Sequence, residues 1–194
     1  MLRRHRFVPV ILGAALGVSL LGAPAYATTI SAHAVMDGLT EVPPNASPAI
    51  GDADVFIDGD LLTVDMDWAG LIGGNPAAAH IHCCTAPGTN VGVAVGFPAF
   101  PATTSGSYFH VFNMLDPSIY TAAFLNNFGG GTAAGAEAAL IDGILAGRAY
   151  VNIHNAVFPG GEIRGQLAAV PEPATLTLFG LGLAGAAFRR RIRR

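Results

Sequence analysis

The sequence contains no lysine, and its 10 basic residues, all arginines, stand against 13 acidic ones. Eight of the arginines lie in the first six and last six residues, which leaves Arg148 and Arg164 as the two cations between residues 28 and 169. That span holds twelve acidic residues, so the body carries a net charge of −10. A body this acidic excludes nucleic-acid binding through phosphate contacts. Its charge suits the binding of cations or basic partners, or serves solubility.

The N-terminal residues have the pattern of a secretory signal peptide. Met1 to Arg6 is basic, Phe7 to Gly22 is apolar, and Ala25-Tyr26-Ala27 supplies a small-x-small cleavage pattern. We therefore expect residues 1–27 to engage the secretion machinery and signal peptidase, with Ala25 and Ala27 defining the cut. The mature chain would begin at Thr28, outside the cytoplasm.

The C-terminal residues combine a proline-flanked motif, an apolar run and an arginine cluster. They read Val170-Pro171-Glu172-Pro173, then Ala174 to Phe188, then Arg189 to Arg194. Prolines break regular structure, and the arginines hold their end on the cytoplasmic side of a membrane. The apolar run is shorter than the ~20 residues that a stable membrane span prefers. This suits a processed segment better than the alternative, a permanent anchor.

This C-terminal order resembles the PEP-CTERM sorting signal of Gram-negative bacteria. The resemblance implies that residues 170–194 form a sorting signal with a transmembrane helix at about 174–188. It also implies an exosortase-type processing enzyme as partner, which would cut near Pro171, Glu172 and Pro173. The protein would be anchored transiently in the inner membrane and then pass to the cell surface or the exopolysaccharide matrix of a biofilm.

The body between these ends is one domain by length and is rich in strand patterns. Ile50 to Ile57 and Leu61 to Trp68 flank the turn triplet Asp58-Gly59-Asp60, which predicts a hairpin. In the second run, apolar and polar residues alternate, which predicts one buried and one exposed face. Further strands are expected at Ala77–His82, Val91–Val95, Gly106–Asn113, Arg148–His154 and Glu162–Ala168.

One part of the body favours helices. Pro117 to Phe128 follows a plausible N-cap at Asp116, and Thr132 to Gly147 has apolar residues at helical spacing. We expect this insertion to lie across an open edge or end of the strands. The predicted fold is all-β, a Greek-key or immunoglobulin-like β-sandwich with a short helical insertion, flanked by an N-terminal signal helix and a C-terminal membrane-spanning helix.

Four fragments of the body carry a second resemblance. They are Leu39 to Pro44, Ala79 to His82, Gly147 to His154 and Pro159 to Leu167. In this order they resemble the CHRD domain, and the resemblance covers residues 28–169. It implies an extracellular all-β domain without established enzymatic activity. Members often have a Gly-Pro step after the His-x-His, where this chain has Cys83-Cys84.

Histidines and cysteines are the candidate metal ligands. His80 and His82 alternate on one strand and so share a face, and His154 falls on the outer face of a later strand if Val151 and Ile153 face the core. Three imidazoles on neighbouring strands would hold copper or zinc with an open fourth position. The only two cysteines, Cys83 and Cys84, are adjacent. They can form a vicinal disulfide, pair between chains, or present two thiolates to the metal.

Other candidate sites are weaker. Six aspartates in and beside the predicted hairpin, called the hairpin aspartates below, offer the oxygen ligands that Ca²⁺ prefers. Such residues usually form a solvated face. Glu162 and Arg164 are expected to form a structural ion pair, and His110 to pack half-buried. No pattern for nucleophilic or acid–base catalysis is present in the sequence. The hairpin aspartates are Asp52, Asp54, Asp58, Asp60, Asp65 and Asp67.

Two functions follow from these observations. The first is an exported, non-catalytic extracellular module that is sorted to the surface or matrix and acts by binding, with exopolysaccharide as a candidate partner. The second is a periplasmic or surface protein that binds copper or zinc through His80, His82, His154 and the two cysteines.

Overall fold

The computed structural model describes residues 29–171, together with residues 180, 182, 183, 185, 189 and 190. Ala25 and Ala27 of the predicted signal peptide lie outside the described residues, as do Glu172 and Pro173 of the sorting motif. The transmembrane helix expected at about 174–188 also lies mostly outside them. Within the part that is described, no helix combines the length and the apolar character that crossing a membrane requires.

Residues 29–171 form nine strands, two α-helices and one 3-10 turn. Every strand pairing is antiparallel, and one continuous sheet runs in the order β5-β4-β7-β8-β1-β2-β3-β6, with β9 pairing to β1. The elements are β1 Ile30–Asp37, β2 Ile50–Asp58, β3 Leu61–Ala69, β4 Pro76–Cys83, β5 Val93–Gly96, β6 Gly106–Asn113, the 3-10 turn Pro117–Ile119, α1 Ala122–Asn127, α2 Ala133–Leu145, β7 Ala149–Asn155, β8 Ile163–Gln166 and β9 Ala168–Val170.

The predicted two-sheet sandwich is corrected to this single sheet, which curls strongly into a half-barrel. Its two end strands approach each other through aromatic side chains, because the ring of Phe97, just after β5, lies 5.2 Å from Tyr108 and 6.2 Å from Phe112 of β6. Alternation in a sequence shows which side of a strand is buried. It does not show whether the buried sides belong to two facing sheets or to one twisted sheet that closes on itself.

The hairpin of β2 and β3 confirms the predicted alternation. Leu62, Val64, Met66 and Trp68 are all buried, and Val55 pairs opposite Val64 in register. A strand that the sequence did not suggest, β1, lies in the middle of the sheet and buries Ala32, Ala34 and Met36. Its buried side chains include two alanines, which give a weak hydrophobic signal.

The helical insertion between β6 and β7 is confirmed, and it covers the edge strand β5 as expected. The backbone N–H of Thr121 donates to the carbonyl of Ala94, and Val95 forms a bridge with Tyr120. Asp116 caps the 3-10 turn by accepting from the N–H of Ser118 at 2.8 Å. Helix α2 buries Leu140 and Ile144 in the core on the inner side of the sheet.

Candidate metal centre

Two neighbouring strands place three histidines on the side of the sheet that faces away from the core. β4 and β7 pair with Ile81 opposite Val151, and these two side chains are fully buried in the core. Side chains alternate along a strand, so His80, His82 and His154 project from the other side. This confirms the predicted common face, and it shows that the two strands are neighbours, which the sequence left as a condition.

The three imidazoles converge. One ring nitrogen from each of His80, His82 and His154 lies within 4.8 Å of the other two. The ring centroids are 5.0 Å apart for His80 and His154, 5.5 Å for His80 and His82, and 5.9 Å for His82 and His154. Within residues 29–171, no other set of three His, Cys, Asp or Glu side chains brings its ligand atoms this close.

Backbone carbonyls fix two of the rings. Nδ1 of His82 lies 2.7 Å from the carbonyl oxygen of Val91, and Nδ1 of His154 lies 3.0 Å from that of Pro159. A neutral imidazole has one N–H, and because a carbonyl only accepts, that proton sits on Nδ1 in both rings. Each Nε2 then presents a lone pair. This is the arrangement in which a metal-binding histidine is oriented by its other nitrogen.

Three nitrogens of the cluster are buried without a hydrogen-bond partner. They are Nδ1 of His80, Nε2 of His82 and Nε2 of His154. A buried polar atom that lacks a partner costs about 1–3 kcal/mol, so three at one place need a common explanation.

Burial keeps the rings neutral. It lowers the pKa of His80 from 6.5 to about 4, with smaller contributions from the nearby His154 and His82. Burial likewise lowers the pKa of His82 and of His154. Neutral imidazole is the form that coordinates a metal ion.

An aromatic and cationic stack closes one side of the cluster. The ring of Tyr150 lies parallel to that of His82 at 4.7 Å, and the guanidinium of Arg164 lies 3.3 Å from the centroid of Tyr150. Arg164 donates to Oδ1 of Asn90 at 3.0 Å and to the carbonyl of Thr89 at 3.1 Å. The arginine therefore fixes the β4–β5 connection over the histidines.

Sequence reasoning missed Glu41 and Asn152 as site residues. Glu41 is 3% exposed, and burial raises the pKa of its carboxyl from 4.5 to about 7, against the opposing effect of Arg164. Asn152 is 2% exposed and pairs opposite His80. A loop residue has no periodicity that marks it as buried. The one signal in the sequence was that Glu41 lies in Leu39 to Pro44, a fragment that carries the family resemblance.

The cysteines lie apart from the histidines. Cys83 and Cys84 form a disulfide with each other, which resolves the three alternatives open from the sequence. Cys83 is fully buried in the core, and Sγ of Cys84 lies 3.3 Å from the carbonyl of Ala139 in α2. Gly143 of α2 faces the two sulfurs so closely that a Cβ there would collide with them. The predicted thiolate contribution to the metal site does not match this arrangement.

The predicted ion pair between Glu162 and Arg164 is wrong. Glu162 is fully buried and accepts hydrogen bonds from the hydroxyl of Ser47 at 2.7 Å, the N–H of Ile72 at 2.7 Å and the N–H of Gly73 at 3.1 Å. The amide of Asn155 is its fourth donor. The carboxylate holds three loops together, while Arg164 takes the partners described above.

The hairpin aspartates and His110 behave as the simpler interpretations predicted. On β2 and β3, Asp52 pairs opposite Asp67 and Asp54 opposite Asp65, and these side chains point to solvent. His110 is half-buried, with its ring 4.4 Å from that of Phe112.

Comparison with known families identifies two segments. The CHRD domain matches residues 32–167, and the PEP-CTERM protein-sorting motif matches residues 169–191. Both resemblances seen in the sequence are thereby confirmed. No curated protein and no solved structure matches the chain.

Proposed function

This chain belongs to the CHRD-domain family and carries a PEP-CTERM sorting motif, and on that premise we propose that it is an exported, non-catalytic module that binds copper or zinc at the cell surface. The sorting motif implies export and exosortase-dependent sorting to the surface. Neither matched segment is a marker of catalysis, which supports a binding role. The proposed ligands are His80, His82 and His154.

The observation that carries this proposal is the set of three partnerless nitrogens. A metal ion gives all three lone pairs a partner at once, and it does so without protonating groups whose pKa burial has lowered. Three nitrogen ligands suit copper and zinc rather than calcium or magnesium, which prefer oxygen. A site with three protein ligands leaves one coordination position open.

The proposed route to the surface uses both ends of the chain. Residues 1–27 direct export, and the segment at about 174–188 holds the protein in the inner membrane until an exosortase cuts near Pro171, Glu172 and Pro173. The folded body ends directly at this motif, because Val170 of β9 is still paired with Ser31 of β1. After cutting, the module is retained at the surface or in the exopolysaccharide matrix.

The metal proposal is tested by elemental mass spectrometry of the full chain, purified in detergent. We expect about one copper or zinc per chain, and its loss in the variant H80A/H82A. The matched control is H33A/H110A, which removes two histidines that lie outside the cluster and should retain the ion. A chain without metal, or an H80A/H82A variant with unchanged metal, would contradict the proposal and leave a metal-free matrix module.

The sorting proposal is tested by replacing Pro171, Glu172 and Pro173 with alanine. We expect the variant to stay in the membrane fraction at its unprocessed mass, because the processing enzyme no longer recognises it. The comparison is fractionation and intact-mass measurement beside the unmodified chain. Normal release of the triple variant would contradict this part of the proposal.

A further inference from the structure

Two more buried atoms without partners lie next to the histidines. In residues 29–171, five buried side-chain nitrogen or oxygen atoms have no hydrogen-bond partner, and three are the histidine nitrogens. The other two are Oδ1 of Asn152 and Oε1 of Glu41. Both side chains are more than nine-tenths buried. A metal ion bound by the histidines explains the first three atoms and leaves these two unexplained.

The register of the sheet puts Asn152 in the middle of the cluster. It lies opposite His80 on β4 and two residues before His154 on its own strand, and His82 is its diagonal neighbour across the strand pair. Directly opposite residues in an antiparallel pair have Cβ atoms about 4.5–5.5 Å apart. A side chain at this position borders all three proposed ligands.

Glu41 stands behind Asn152. Its carboxyl and the amide of Asn152 both crowd Gly161, where an added Cβ would lie 2.8 Å from Nδ2 of Asn152 and would collide with Oε1 of Glu41. The carboxyl does not join the histidine nitrogens in one group within 4.8 Å. Glu41 therefore acts on the site through Asn152 rather than as a ligand.

The polarity of these atoms indicates what lies between them. Nδ2 of Asn152 lies on the side of Glu41 and Gly161, and the partnerless Oδ1 is an acceptor. The free nitrogen of His82 is also an acceptor, since its one N–H is given to Val91. Two buried acceptors side by side repel unless a cation or an O–H donor lies between them.

We propose that the open coordination position takes an exchangeable water that donates to Oδ1 of Asn152, while Glu41 fixes the amide of Asn152. This inference rests on the proposed metal site and names its fourth ligand. A water on a metal ion has O–H groups to donate, and a buried water typically makes about three bonds to otherwise unsatisfied groups. Asn152 supplies an acceptor, and Glu41 is the positioning residue that fixes the amide.

The test is electron paramagnetic resonance of the Cu(II)-loaded full chain in water enriched with oxygen-17. We expect hyperfine broadening from one bound water in the unmodified protein and loss of that broadening in N152L, at an unchanged stoichiometry of copper. The matched control is N126L, which replaces an exposed asparagine of α1 and should keep the broadening.

Glu41 is tested in the same spectra. E41M should lose or shift the broadening because Asn152 is no longer fixed, whereas E41Q should restore it because an amide can still bond to Asn152. If N152L does not fold, E41M and E41Q test the proposal by themselves. An effect of general destabilisation would not separate E41M from E41Q in this way.

The outcomes separate the two proposals. Copper that binds with no oxygen-17 broadening, or with broadening unchanged in both N152L and E41M, overturns the water and leaves the metal site standing. A full chain that binds no copper overturns the metal site and this inference together.

Discussion

The outward side of the sheet has two regions that both carry histidine and aromatic side chains and differ in what lies over them. We call the first the covered face, formed by β4, β7 and β8, and the second the open face, formed by β1, β2, β3 and β6. The covered face presents His80, His82, Tyr150, Asn152, His154 and Arg164. The open face presents His33, Asp52, Asp54, Asp65, Asp67 and Phe109.

Loops account for the difference between these faces. On the covered face, Val91, Pro159 and Glu41 come from three separate connections, and the histidines beside them are buried or half-buried. On the open face, Nδ1 of His33 lies 2.9 Å from Oδ1 of Asp54 in contact with solvent. Histidine on a strand is thus an ordinary surface residue in one region and a neutral candidate ligand in the other. Desolvation, more than residue type, creates the candidate site.

The largest expected effect comes from removing the carboxylate of Glu162, which ties the β1–β2 and β3–β4 connections to the end of β7. Glu162→Leu leaves the N–H groups of Ile72 and Gly73 and the side chains of Ser47 and Asn155 without their acceptor. Stranding buried partners of a charged group in this way typically costs about 3–5 kcal/mol. We expect a loss of this size in the free energy of unfolding, measured by urea denaturation.

The matched change on the open face is Asp65→Leu. Its carboxylate is exposed, so surface substitution should change the free energy of unfolding by no more than about 0.5 kcal/mol. Equal losses in the Glu162 and Asp65 variants would show that the loops do not depend on Glu162.

The next effect sharpens the comparison between the two kinds of histidine. The pKa of His80 is lowered from 6.5 to about 4, so the unfolded chain takes up the proton more readily than the folded one. The contribution of His80 is therefore fully present above pH 6.5 and is lost as the pH falls toward 4. A shift of this size corresponds to about 3.4 kcal/mol, and because the ring is only half-buried, solvent screening makes the expected difference smaller than that.

Urea denaturation of the metal-free chain between pH 7 and pH 4, with chelator present, measures this effect. We expect His80→Gln, which cannot titrate, to lose less stability over this interval than the unmodified protein. His33→Gln on the open face serves as the control and should follow the unmodified protein. An acid profile that His80→Gln leaves unchanged would mean that the ring is not desolvated in solution.

The sequence predicted the histidine cluster because two strand patterns carried it. Period-two alternation put His80 and His82 together, and the outer position of His154 followed from placing Val151 and Ile153 in the core. The remaining step, that β4 and β7 are neighbours, was an assumption that the sheet order confirms. Strand order depends on contacts between distant residues and has no local signal.

Asn152 and Glu41 could not be assigned their place from the sequence. The burial of Glu41 depends on a twelve-residue β1–β2 connection folding back over β7 and β8, and on Gly161 leaving room for its carboxyl. The same limit explains the wrong ion pair. Spacing predicted a shared face for Glu162 and Arg164, but Glu162 lies just before β8 and turns toward the loops instead.

The smallest expected effect concerns the aspartates of the open face, where D65N/D67N removes one member from each of the two facing pairs. Like charges directly opposite in a sheet destabilise by a few tenths of a kcal/mol, and salt screens them. We expect the free energy of unfolding of the variant to rise by about 0.5 kcal/mol in low salt and by almost nothing at high salt.

The acids also interrupt an apolar surface that includes Phe109, which is 66% exposed on the edge strand β6. The same variant should therefore aggregate at lower concentration in light scattering, because charge beside an exposed edge strand opposes association. A gain in stability together with a loss in solubility would show that these carboxylates serve solubility, whereas a loss of both would show that they support the fold.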